Sequence, residues 1–72
     1  MSKSLYSNEQ NHLVEQLKKA RREVNLDQKT VAELLNKTQS YISKVESGQR
    51  IDVIQLKEFA KIYKKDINFF IK

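Results

Sequence analysis

Residues 27–48 read DQKTVAELLNKTQSYISKVESG, and their pattern decides the fold. Asp27 is placed to cap a helix over residues 28–35, with Leu26 and Val31 at the two positions of a hydrophobic staple. At about 100° per residue, Val31, Ala32, Leu34 and Leu35 cover one arc and leave Lys29, Thr30 and Glu33 outside it. Asn36 stands where the chain must turn, and asparagine accepts the left-handed conformation better than most residues other than glycine. Thr38 then caps a second helix over residues 39–47, and Gly48 is placed to end it. The stretch therefore predicts two short amphipathic helices around a tight turn.

The second of these helices has two unlike sides. With Gln39 at 0° on a helical wheel, Gln39, Ser43, Ser47, Ser40 and Lys44 fill an arc from about 0° to about 140°. Tyr41, Val45 and Ile42 occupy the opposite side, from about 200° to about 300°. One side belongs to a core and the other is left for a partner. Glutamine can bond bidentately to adenine, lysine can donate to guanine, and serine adapts to several bases. An isolated helix with such a face is most often merely solvated. A preceding short helix, a turn between the two and basic surroundings make it a candidate for the second helix of a helix-turn-helix reader of DNA. Gln39, Ser40, Ser43 and Lys44 are the expected base contacts. Gln28, at a helix start where free N–H groups favour an anion, together with Lys29, Lys37, Thr38, Tyr41 and Arg50, is expected at phosphates. Glu46 falls at about 340°, beside the apolar arc, where a carboxylate needs a partner. Arg21, at the end of the preceding helix, is the candidate for a structural salt bridge with it.

Working outward, a first helix is expected over residues 8–23, capped by Ser7 with Gln10 completing a capping box. Its buried face is Leu13, Val14, Leu17, Ala20 and Val24, and Lys18, Lys19, Arg21 and Arg22 suit its carbonyl end. Ile51 and Leu56 repeat the staple around Asp52, which caps a fourth helix over residues 53–63 with Leu56, Phe59, Ala60 and Tyr63 inward. Asp66 caps a short fifth helix carrying Ile67, Phe70 and Ile71. The expected organisation is a flexible segment over residues 1–6 and one all-α domain over residues 7–72.

Composition narrows the function classes. A chain of 72 residues holds one modest core. Fourteen Lys and Arg against nine Asp and Glu leave a formal charge of +5, which favours a polyanion such as double-stranded DNA. There is no Cys, one His (His12) and one Gly, so neither a thiolate site, a metal cluster nor a glycine-rich phosphate loop is expected. Enzymatic activity and a cofactor are not expected. With no apolar run long enough to span a membrane and no signal peptide, the expected location is the cytoplasm.

From Leu17 to Ile71 the sequence resembles the Cro/CI-type (lambda-repressor-like, or XRE) helix-turn-helix family. The likeness is carried by Asp27-Gln28, Ala32-Glu33-Leu34 and the run from Thr38 to Gly48, of which SYISKVESG is the most distinctive part. It implies a compact five-helix domain that reads a palindromic operator as a homodimer. Position by position, it implies that Gln28 contacts phosphate and braces the start of the recognition helix, that Gln39, Ser40 and Lys44 read bases with Ser43 alongside, and that Arg21 and Glu46 form a buried pair. It also implies a small residue at Ala32, where two helices cross. The sequence departs from the family at Asn36 and Lys64, where Gly is usual, and at Lys65, where an apolar residue often stands. Ile54 and Phe69 are apolar where relatives are often polar, and Ile62 replaces a common Ala. These three either enlarge the core or form a dimer interface. The competing reading is an antitoxin or protein-interaction module that uses the same fold mainly to bind a protein. No inducer-binding or cleavage domain is expected after Ile71, so regulation is expected through protein concentration, dimerisation or a separate partner. Autoregulation is the leading expectation, with transcriptional repressor, activator, restriction–modification controller and antitoxin all left open.

Overall fold

A computed structural model describes the backbone of residues 2–71 and the side chains of residues 10–71. Among these the chain forms five helices and no strand: α1 (Ser2–Glu23), α2 (Gln28–Leu35), α3 (Gln39–Glu46), α4 (Val53–Tyr63) and α5 (Asn68–Ile71). The expected all-α architecture of five helices is what forms. No helix among the described residues is long and apolar enough to cross a membrane.

The caps follow the sequence closely. Asp27 accepts the Thr30 N–H at 2.8 Å and Thr38 Oγ1 accepts the Tyr41 N–H at 3.1 Å. Asp52 and Gln55 exchange two bonds, of 2.8 and 3.0 Å, in a reciprocal capping box. Asp66 accepts from the Asn68 N–H at 3.0 Å and so starts α5. The helix ends share a second device: Asn25, Asn36 and Lys64 all take the left-handed conformation, with φ of 59°, 60° and 59°. The residue after each then donates back over five positions, Leu26 to Arg21, Lys37 to Ala32 and Lys65 to Ala60. These bonds satisfy carbonyls that a helix otherwise leaves open.

Helix α1 starts six residues earlier than the sequence suggests, at Ser2 rather than Asn8, so Ser7 lies inside it. The side-chain cap expected of Ser7, and the flexibility expected of residues 1–6, fall outside the described side chains. Gln10, expected to serve that cap, is bonded instead to the Gly48 carbonyl. Helix α3 ends at Glu46, one residue short, with Ser47 as the C-cap, its hydroxyl donating to the Ser43 carbonyl at 2.8 Å.

The core is one cluster to which every helix contributes: Leu17 and Ala20, Val31 and Ala32, Ile42 and Val45, Leu56, Phe59, Ala60 and Tyr63, and Phe70. Tyr41 stacks on Phe59 at 6.3 Å, and Phe59 meets Tyr63 at 5.9 Å. Leu13, Val24, Leu26, Leu35 and Ile51 pack around it, half-buried. Two expected core residues stay outside. Leu34 is 58 % exposed, because it sits at one edge of the α2 arc and α2 packs only on α3 and α4. Ile71 is exposed because α5 is a single turn that directs Phe70 alone fully inward.

Candidate nucleic-acid interface

Helix α3 has the two sides its sequence requires. Ile42 and Val45 are buried, whereas Gln39, Ser40, Ser43 and Lys44 are all exposed on the opposite side. The four expected base contacts therefore share one solvent-facing surface, on a helix held from behind. Lys37 and Thr38 lie in the turn before it, also exposed, and Arg50 is exposed in the loop after it.

What holds α3 is a polar cluster at its C-terminal end. Arg21 Nε donates to Glu46 Oε2 at 2.7 Å and Arg21 Nη2 to Oε1 at 3.0 Å, a bidentate geometry in which each group matches the other's planar fork. A third donor, Nη1, reaches the Leu26 carbonyl at 3.0 Å, so one guanidinium ties α3 to the α1–α2 corner. The Glu46 side chain is 6 % exposed and that of Arg21 17 %. The hydrogen bond to Glu46 raises the Arg21 pKa above its ordinary value, with burial opposing it, so the guanidinium is charged throughout the physiological range. The pair anticipated from the wheel is formed, and it links the last residue of α3 to the end of α1.

Gln28 is placed differently from expectation. Its Nε2 donates to Glu46 Oε1 at 3.0 Å, so the brace falls on the last residue of α3 rather than on its start. Helices α2 and α3 pack on each other, with Gln28 the first residue of α2 and Glu46 the last of α3. One amide N–H of Gln28 is thereby committed, and the other is what the side chain can offer to a phosphate.

Tyr41 lies half-buried at the edge of the exposed surface. The Lys37 ammonium sits 5.5 Å from its ring centroid, which keeps that cation near the start of α3. Burial, then the charges of Glu58 and Asp52, push the Tyr41 hydroxyl above its ordinary range, so it stays protonated and can donate to an anion. Thr38 accepts the Tyr41 N–H, and its own hydroxyl proton is not used by that bond. Lys29 is exposed on the first turn of α2.

The three apolar residues singled out as an interface do not share one environment. Ile54 is 70 % exposed, with Val53 beside it also exposed. Ile62 and Phe69 are half-buried against the core. Phe69 meets Phe70 edge-on at 5.1 Å and carries the Lys65 ammonium 4.7 Å over its ring. Sequence reasoning missed Val53 because it was counted only as the start of a helix. It also missed the two α1 glutamines that donate to distant carbonyls, Gln10 to Gly48 at 2.8 Å and Gln16 to Phe69 at 3.0 Å. Only long-range packing reveals those bonds. Among the described residues no group of His, Asp or Glu is arranged to hold a metal ion.

The family profile described as helix-turn-helix matches residues 17–70, from the last third of α1 into α5. No curated protein and no solved structure matches the chain.

Proposed function

Because the chain belongs to the Cro/CI-type helix-turn-helix family of DNA-binding regulators, we propose that it is a sequence-specific transcriptional regulator acting in the cytoplasm. Helix α3 enters the major groove and reads a palindromic operator in the context of a homodimer. One observation carries this reading. The exposed face of α3 consists of Gln39, Ser40, Ser43 and Lys44, side chains able to meet base edges, on a helix whose other face is immobilised by Ile42, Val45 and the Arg21–Glu46 pair. A rigid helix presenting uncommitted polar groups is what direct readout requires.

In this reading Lys29, Lys37, Thr38, Tyr41 and Arg50, with the remaining N–H of Gln28, meet phosphates on either side of the groove. The second copy docks at exposed Ile54, to which half-buried Ile62 and Phe69 contribute their outer edges. A two-fold dimer sets its reading helices one DNA turn apart, about 34 Å.

The test is selection from a random pool of duplexes at two salt concentrations. Recovery of a palindrome with half-sites about 10 base pairs apart, bound in preference to scrambled duplex at the higher salt, is the expected result. Equal, salt-sensitive retention of all sequences would reject specific reading, and no retention would move the function to a protein partner.

A further inference from the structure

Helix α1 begins well before the segment that matches the family, which opens at Leu17. From that earlier stretch Gln10 reaches 38 positions along the chain, its Nε2 donating to the Gly48 carbonyl at 2.8 Å in a half-buried contact. Gly48 opens the loop between α3 and α4, at φ +114°. Two backbone bonds tie this loop to the end of α3, Gly48 N–H to the Val45 carbonyl at 3.1 Å and Gln49 N–H to the Lys44 carbonyl at 3.0 Å. The Gly48 carbonyl accepts neither of them and points instead to α1. Arg50, a phosphate contact in the proposed function, lies two residues further on.

We propose that Gln10 is a positioning residue for DNA binding: by holding the Gly48 carbonyl it fixes the loop after the reading helix, and so where Arg50 meets the DNA backbone. The inference rests on the DNA-binding reading and adds to it a contribution from the part of α1 that precedes the family match. Physical support comes from the nature of the contact. A half-buried amide-to-carbonyl bond across distant chain segments adds a restraint at Gly48, between the backbone bonds that tie the loop to the end of α3 and the Asp52–Gln55 box that starts α4. Phosphate contacts depend on such restraint because they set register on the duplex.

Gln16 supplies an internal control, since it makes the same kind of bond from the same helix to the Phe69 carbonyl, at 3.0 Å, away from the loop. Gln10→Met and Gln16→Met each keep the side-chain length and remove the donor. Three readouts are taken for both: amide hydrogen exchange in the free protein, thermal melting, and affinity for the selected operator at fixed salt. Gln10→Met is expected to speed exchange at Gln49 and Arg50 and to weaken operator binding about 3- to 10-fold. Gln16→Met is expected to leave exchange at Gln49 and Arg50 unchanged, even where the two melting curves shift alike. Unchanged loop exchange in Gln10→Met overturns the proposal, as does faster exchange with undiminished affinity, or equally fast loop exchange in both variants. A wild-type protein that binds no duplex rejects the DNA reading and the positioning role together, while loop exchange in Gln10→Met still reports whether the tie exists.

Discussion

Glu46 ends α3 with a carboxylate that meets three N–H groups, two from Arg21 and one from Gln28. Removing it strands a mostly buried guanidinium and an amide, so Glu46→Ala is expected to lower unfolding free energy by about 3 kcal/mol. Chemical denaturation measures this, and an unchanged midpoint would show that the pair is dispensable. Tyr63 lies in the field of the same pair, its hydroxyl buried without a hydrogen-bond partner among the described residues. Burial and the negative Glu46 push its pKa far above the ordinary range, so it remains a neutral phenol. An unmet hydroxyl costs about 1–3 kcal/mol, and Tyr63→Phe is therefore expected to leave stability unchanged or raise it by about 1 kcal/mol. A loss on that substitution would reveal a partner. Lys44, by contrast, is exposed at the end of the polar face. Lys44→Ala is expected to cost about 1–3 kcal/mol of operator affinity and to relax preference at one base pair per half-site. Uniform weakening across all sequences would reassign it to a phosphate. The Arg21–Glu46 pair was legible because helical geometry puts a carboxylate beside an apolar arc. The third donor was not, because where Gln28 reaches depends on how closely α2 and α3 cross.

At the level of elements, the helix ends show how this chain manages almost without glycine. Among the described residues four corners take positive φ, and three of them, at Asn25, Asn36 and Lys64, lack the residue best suited to it, which only Gly48 supplies. The strain differs among them, since the short polar side chain of asparagine tolerates this conformation and the long side chain of lysine gains no such local help. Lys64→Gly is expected to stabilise the domain by about 0.5–1 kcal/mol, whereas Asn36→Gly is expected to change stability little. Paired thermal melts distinguish the two, and equal gains would place the strain elsewhere. Caps at Asp27, Thr38, Asp52 and Asp66 were readable because each acts on a backbone group two or three residues away. The start of α1 was not, because Ser7 offers a plausible cap inside a sequence with nothing to stop a helix. Leu34 was misplaced for a related reason: a wheel gives the side on which a residue lies, and only neighbouring helices decide how wide a side is covered. The polar face of α3 was clear from the sequence, whereas the apolar pair Val53 and Ile54 became distinct only once their exposure could be seen.

Over the whole molecule, stability depends on acid-side electrostatics with a definite sign. The Thr30 backbone N–H holds the Asp27 carboxyl below its ordinary range, and the Lys65 ammonium does the same for Glu23. A depressed folded-state pKa contributes stability that is fully present above the unfolded value and is lost as pH falls through the folded one. Denaturation midpoints are thus expected to hold steady above about pH 5 and to decline through and below the usual carboxylate range. Asp27→Asn keeps a competent cap and is expected to flatten part of that decline, and an unaltered acid limb would exclude Asp27 as a contributor. The division of α3 between two tasks has a consequence for how such a protein changes over generations. Everything that keeps the helix in place, from Ile42 and Val45 to Glu46, faces inward, while Gln39, Ser40, Ser43 and Lys44 contribute little to the fold. In the proposed reading those four positions can be rewritten together, giving the same scaffold a new operator with an undisturbed melting temperature, so drift in target sequence need not pass through unstable intermediates.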